Sequence, residues 1–297
     1  MKQKRISAYI VGGFTVALTL VIAVFLAMII GGLIFPRQTK LVIRTGSAEQ
    51  VYNGEALTND FYEIVLGELR DGDELTIGFT GNQTLVGTSE NTATVEIRDA
   101  NGAVVTKRYA VEFEHGDLTV LPRKIYVSSE SAEMIYNGSA LTAEKCGVIT
   151  GEPIEGHRLT LKTTGTQTIV GKSLNHMQAI VYDNGGNDVT AQYEIVYSLG
   201  TLTVTPRKIT IKSASDTKNY DGTPLSTSDW SFEAGSLCEG QQIEVKTSGT
   251  QTAVGSSENV IVYVLIYETQ NGVQRDVSGN YEIACYYGEL NVRPPKK

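Results

Sequence analysis

Val51-Tyr52-Asn53-Gly54-Glu55-Ala56-Leu57-Thr58 decides the fold, because the chain writes this stretch three times. It returns as Ile135-Tyr136-Asn137-Gly138-Ser139-Ala140-Leu141-Thr142 and as Asn219-Tyr220-Asp221-Gly222-Thr223-Pro224-Leu225-Ser226. The tyrosines stand 136 − 52 = 84 and 220 − 136 = 84 residues apart. Self-similarity at a fixed period marks a tandem of like modules, and it governs how every local motif is read.

The flanking sequence keeps the same register. Gly81-Asn82-Gln83-Thr84-Leu85-Val86-Gly87 is matched by Gly165-Thr166-Gln167-Thr168-Ile169-Val170-Gly171 and by Gly249-Thr250-Gln251-Thr252-Ala253-Val254-Gly255. Each copy closes alike, on Gly116-Asp117-Leu118-Thr119-Val120, Gly200-Thr201-Leu202-Thr203-Val204 and Gly288-Glu289-Leu290-Asn291-Val292. Leu121-Pro122-Arg123-Lys124 and Thr205-Pro206-Arg207-Lys208 mark the joints, since proline cannot continue a central ladder. The spacing divides the chain into an N-terminal segment over 1–37 and repeats over 38–122, 123–207 and 208–297. A polar insertion around Glu268-Thr269-Gln270-Asn271-Gly272 lengthens the third copy and reads as a longer hairpin loop.

Within a repeat the apolar residues alternate, as in Leu75-Thr76-Ile77, Leu159-Thr160-Leu161 and Ile243-Glu244-Val245. Alternation with turn signals such as Asp71-Gly72-Asp73 and Asn101-Gly102 between runs predicts short half-buried strands. At most, a short helix is expected near Asn59 to Leu66. The expected fold is mostly β: three tandem small domains, each a β-grasp-like or Ig-like sandwich, after one N-terminal transmembrane helix.

That helix is read from Ile6 to Phe35, a run without a charged residue and longer than the roughly 20 residues a bilayer needs. The run exceeds a signal-peptide core and lacks a small-x-small cleavage site, so an uncleaved anchor contacting the lipid bilayer through residues 6–35 is expected. Lys2, Lys4 and Arg5 precede it, which places the N-terminus in the cytoplasm and the repeats outside the cell.

The four cations of residues 1–37 (Lys2, Lys4, Arg5 and Arg37) have no acidic neighbours there. The remainder carries 25 − 4 = 21 Lys and Arg against 33 Asp and Glu, a net charge of −12. Such a field repels polyanions, which disfavours nucleic acid as a partner. The three cysteines, Cys146, Cys238 and Cys285, fall at unrelated repeat positions, so no disulfide framework is expected. Only Cys238 and Cys285 share a repeat, and small apolar fillers are the simpler reading.

The motifs point to scaffold more than to chemistry. Asn53-Gly54, Asn137-Gly138 and Asp221-Gly222 supply the positive φ of a tight turn, beside Tyr52, Tyr136 and Tyr220, whose rings can bury. The competing reading makes the tyrosines a ladder of ligand contacts. Asp183-Asn184-Gly185-Gly186-Asn187-Asp188 resembles a calcium loop only in composition, for its sixth position is Asp188 instead of glycine. His115, His157 and His176 do not recur in register, and no nucleophile or phosphate-loop motif is present. A Lys–Asn cross-link has a full set of partners only in the third copy and is not expected. No enzyme activity, cofactor or metal is therefore expected. Trp230, the only tryptophan, is the one candidate for a sugar-stacking contact, with packing at the position of Tyr62 as the plainer account.

Taken together, Tyr-[Asn/Asp]-Gly-x-x-Leu, Gly-x-Gln-Thr-x-Val-Gly, Tyr-Glu-Ile and the closing Gly-x-Leu-x-Val resemble the YDG-type, mostly-β-grasp (MBG-like) repeats of bacterial adhesin-like surface proteins. The resemblance covers residues 41–293. It implies extracellular tandem β domains, without catalytic residues or a defined ligand. A cell-surface stalk or interaction module is the expected role, with envelope proteins or wall glycans as partners. The alternative is a wall-glycan-binding or wall-processing accessory with a site in the third repeat.

Overall fold

The structure, a computed structural model, describes residues 22–24, 26 and 38–296. It divides into two compact units, residues 1–123 and 124–297, and the second holds two of the repeats.

In the first unit the strands are β1 (Thr39–Thr45), β2 (Ala48–Val51), β3 (Tyr62–Leu66), β4 (Glu74–Phe79), β5 (Gly87–Glu90), β6 (Ala93–Arg98), β7 (Tyr109–Glu114) and β8 (Asp117–Leu121). β1 and β2 are nearly one long strand, as are β7 and β8, and the two run side by side in parallel. Past the break at Gly46 and Gly116 the sheet changes partners. β3 adds antiparallel to β1 below the break, and β5 adds antiparallel to β8 above it. The β4–β6 hairpin completes the unit. Parallel pairing of the first and last strands departs from the two antiparallel sheets of an immunoglobulin sandwich.

Alternation explains what is buried. Leu41 and Ile43 of β1 point inward with Ile97, Val105 and Tyr109 to form the lower core. Leu118 and Val120 of β8 are buried above the break. The break itself is fastened by a polar staple. Thr45 Oγ1 donates to the Asn91 carbonyl at 2.8 Å and accepts from the Gly116 amide at 3.0 Å. Asn91 Nδ2 donates to the Gly46 and Asn59 carbonyls at 2.9 and 2.8 Å. Backbone groups freed where the ladder changes partners are thereby satisfied without water.

The second unit repeats this plan twice. β9 (Arg123–Ser129), β10 (Ala132–Ile135), β11 (Cys146–Thr150), β12 (Arg158–Thr163), β13 (Gly171–Leu174), β14 (Met177–Tyr182), β15 (Tyr193–Ser198) and β16 (Thr201–Thr205) form one copy. β17 (Arg207–Ser213), β18 (Asp216–Asn219), β19 (Trp230–Ala234), β20 (Gln241–Thr247), β21 (Gly255–Asn259), β22 (Ile261–Gln270), β23 (Val273–Asp276), β24 (Tyr281–Tyr286) and β25 (Gly288–Arg293) form the other. Ser129 with Asn175 and Ser213 with Asn259 reproduce the staple. A Cβ on Gly165 would stand 2.5 Å from Asn175 Oδ1, so that glycine of Gly-x-Gln-Thr-x-Val-Gly has no room for a side chain. The insertion in the third copy lengthens strands: β22 and β23 pair across Asn271 and Gly272, which both adopt positive φ.

Two expectations are corrected. Residues 62–66, where the sequence allows at most a short helix, form the edge strand β3; Ile64 and Val65 are β-branched, and β3 hydrogen-bonds to β1. The expected transmembrane helix is not supported either. Among the described residues no helix is long and apolar enough to cross a membrane, and the described α-helical positions are 22–24 and 26. A span needs about 20 residues. The rest of the 6–35 run lies outside the described residues.

Candidate functional site

The three Tyr-[Asn/Asp]-Gly stretches fold alike. Gly54, Gly138 and Gly222 take φ of 85°, 83° and 80°. The preceding Asn53, Asn137 and Asp221 each accept, through Oδ1, the backbone N–H two residues on at 2.9 Å. Each tyrosine amide donates to the end of the last strand: Tyr52 to Leu121, Tyr136 to Thr205 and Tyr220 to Arg293, at 2.8, 2.9 and 2.8 Å. Turn chemistry therefore fixes where each ring points.

Within the second unit, the Tyr136 ring is where two repeats meet. It is 3% exposed and shares one apolar cluster with Val204 of its own repeat and with Ile209, Cys238, Ile266, Val277 and Tyr281 of the next. Tyr136 and Tyr281 meet edge to face, with ring centroids 5.6 Å apart. The buried polar groups are matched. Gln241 Nε2 donates to the Tyr136 hydroxyl at 2.8 Å, while Gln241 Oε1 accepts from the Tyr281 hydroxyl. The Cys238 amide donates to that same Tyr281 oxygen at 2.9 Å, and Val170 N–H donates to Asn280 Oδ1 at 2.8 Å. Burial is the main cause that pushes the Tyr281 hydroxyl above its ordinary pKa, so it stays a neutral donor.

Position by position, the face that receives Tyr136 recurs with different chemistry. The amides of Arg70, Ile154 and Cys238 all donate to a buried tyrosine hydroxyl, that of Tyr109, Tyr193 or Tyr281. The side chain that answers the hydroxyl is Asp73 in the first copy, His157 in the second and Gln241 in the third. Gln241 and Asn280 are the residues at this junction that repeat logic missed. They are not themselves repeated, and only their alignment with Asp73 and Arg108 flags the positions.

Beside the junction lies an open groove of about 560 Å³, lined by Ile135, Pro206, Arg207 and Glu282 among others. The charges within it are mutually engaged: Lys208 pairs with Glu282 at 3.3 Å, and Arg207 Nε donates to the Ser236 carbonyl at 2.6 Å. Trp230 is placed away from this groove, half-buried at the edge strand β19 with its ring against Phe232 at 5.4 Å. It pairs with Ser213 as Tyr62 pairs with Thr45, which is the packing position.

The remaining candidates are local. All three cysteines are free, and burial pushes the Cys285 thiol up, away from the reactive thiolate. Asp183 accepts from Asn187, which holds its carboxyl below the usual range and marks it as a turn residue. Lys40, Lys124 and Lys208 pair with Glu112, Glu194 and Glu282 across exposed strands.

Fold and junction together define a class, a tandem of small mixed-β modules in which neighbouring repeats can share a core. No family model matches this chain, and no curated protein does. Among solved structures it is similar to Drosophila N-cadherin EC1-4, at 13% identity over 87% of this chain and 74% of that one, with a TM-score of 0.20. The N-terminal four Ig domains of Dscam1 isoform 6.9 match at 8% identity over 87% and 73%, TM-score 0.17. The Bacillus anthracis TIE protein matches at 11% over 88% and 52%, TM-score 0.19.

Proposed function

We propose that this chain is a non-catalytic interaction and spacing module of a bacterial cell surface, built from MBG-like repeats that stack through their Tyr-[Asn/Asp]-Gly turns. One observation carries the reading: the Tyr136 ring completes the core of the following repeat. A shared core joins two modules into one mechanical piece, where separate cores on a flexible linker would swing independently. Resemblance to surface repeats supports an extracellular setting, and envelope proteins are the partners it implies. Gln241 on the Tyr136 hydroxyl and Asn280 on the Val170 amide are the polar contacts that join the two modules.

Tyr136→Ala tests the coupling directly. In the wild-type chain the second and third repeats are expected to unfold in one transition. In the variant they are expected to separate into two, followed by calorimetry. Two separate transitions already present in the wild type would overturn the stacked reading.

A further inference from the structure

We infer that the exposed end of the third repeat is a docking surface for one further β module of this repeat type. The inference rests on the stacked reading proposed above and names the partner that stacking implies. Tyr220, Leu225 and Val254 stand where Tyr136, Leu141 and Val170 stand in the second repeat. The framework beneath them is the same. Leu225 bridges to Gln251 as Leu141 does to Gln167, and Leu225, Leu290 and Val292 close a small core of their own. The difference is what lies on top. Tyr136 is 3% exposed, whereas Tyr220 is 45% and Val254 is 52% exposed.

The engaged copy states what fits. Its cover is a tyrosine ring met edge to face, a neutral amide on the Tyr136 hydroxyl and an amide oxygen on the Val170 N–H. The end of the third repeat is held ready for such a cover by its turn, so docking requires little ordering. Lys218, which replaces Met134, does not oppose it. Its ammonium is bound by Asp221 Oδ1 at 2.9 Å and by the Thr223 carbonyl at 2.6 Å, which leaves the stem to pack.

A second copy of this chain does not supply the cover through its first repeat. There the Arg70 guanidinium lies 5.7 Å over the Tyr109 ring, the Tyr109 hydroxyl donates to Asp73, and Arg108 lies 3.9 Å from that carboxylate. An apolar ring laid on that set would strip water from charges and return no partner for them. The fitting partner carries a neutral side chain where Asp73 stands.

The test lengthens the full chain at its C-terminus with a second copy of residues 208–293, the repeat that receives Tyr136. In the native chain, hydroxyl-radical labelling is expected to modify Tyr220 several-fold faster than Tyr136. In the lengthened chain Tyr220 is expected to fall to the rate of Tyr136; unchanged labelling of Tyr220 would overturn the inference. A second measurement does not depend on labelling. Tyr220→Ala is expected to leave the unfolding midpoint of the native chain nearly unchanged and to lower that of the lengthened chain, and equal effects in both would also overturn it. Sedimentation of the native chain is expected to show monomer at all concentrations. Self-association abolished by Tyr220→Ala would give the face to a second copy and overturn the choice of partner. None of these results bears on the Tyr136→Ala transition, so failure here is separable from failure of the stacked reading.

Discussion

Tyr136 and Tyr220 sit on the same turn, with the same backbone hydrogen bond and the same side-chain cap on the following loop. One ring is buried by the next repeat and the other is nearly half exposed. Turn chemistry thus accounts for the Asn or Asp and the Gly in both places, but it does not account for the Tyr. The ring belongs to the neighbour: it contributes energy only where a following module closes over it. A motif repeated for one structural reason can hold a residue kept for another, and the terminal copy is where the two reasons come apart.

The largest expected effect breaks the comparison at the ring itself. Tyr136→Ala removes a fully packed aromatic and opens a cavity in a shared core, which costs about 3–5 kcal/mol by the usual range for large-to-small aromatic truncation. The same truncation at Tyr220 removes a ring that packs on little, and is expected to stay within about 0.5 kcal/mol. Denaturant unfolding of the two variants measures the difference. Equal costs would mean that Tyr136 stabilises its own repeat and not the junction.

The turn should behave in the opposite way, alike at both ends. Gly138→Val and Gly222→Val each force a β-branched residue to positive φ, and each should cost about 1–3 kcal/mol. A Cβ at 138 would meet Cys238 Cβ at 3.7 Å, an ordinary contact, while at 222 it meets open space. Valine's extra methyls therefore make the second-repeat variant somewhat the worse of the two. A Gly222→Val chain as stable as wild type would remove backbone strain as the reason for the glycine.

Smaller again is the hydroxyl. Tyr136→Phe keeps the ring and deletes the bond from Gln241 Nε2, with an expected loss of about 1 kcal/mol. Among the described residues the Tyr220 hydroxyl makes no side-chain hydrogen bond, so Tyr220→Phe is expected to be silent. Adding Gln241→Leu to Tyr136→Phe should deepen the loss, because the buried Tyr281 hydroxyl then loses Gln241 Oε1 as its acceptor. Unfolding midpoints for the single and double variants decide it.

How much of this was legible beforehand follows from what repeats and what does not. Strand alternation and the turns lie in residues that recur in register. The staple was partly visible, since Asn91, Asn175 and Asn259 recur, but its hydroxyl partner changes from Thr45 to Ser129 and Ser213 and lies 46 residues away. The junction was hidden for a deeper reason. Its receiving side reads Arg70, Asp73 and Arg108 in one copy and Cys238, Gln241 and Asn280 in another, so registration alone averages it away. Residues 59–66 misled because a polar start before an apolar run looks like a helix entry. Pairing to β1, set by contacts distant in sequence, overrides that local signal.

The smallest expected effect is a pH dependence confined to one end. Asp221 stands where Asn53 and Asn137 stand, so only the third turn titrates. The Lys218 ammonium, then the Thr223 amide and hydroxyl, hold the Asp221 carboxyl far below the usual carboxylate range. A carboxyl depressed in the folded chain is stabilising while it is ionised. Its contribution is complete above the unfolded value of about 3.9 and is lost as pH falls from there toward the folded value. Asp221→Asn keeps the Oδ1 acceptor for the Thr223 amide and removes the negative charge that faces the Lys218 ammonium. The wild type is therefore expected to unfold slightly later than the variant at pH 7, with the gap closing as the medium is acidified below the unfolded value. The pair is exposed and screened by salt, so the gap should also shrink in high salt at pH 7. Thermal midpoints of the two chains across pH and salt provide the check. The absence of any gap at pH 7 would show that Lys218 is held by the Thr223 carbonyl, with the carboxylate contributing nothing.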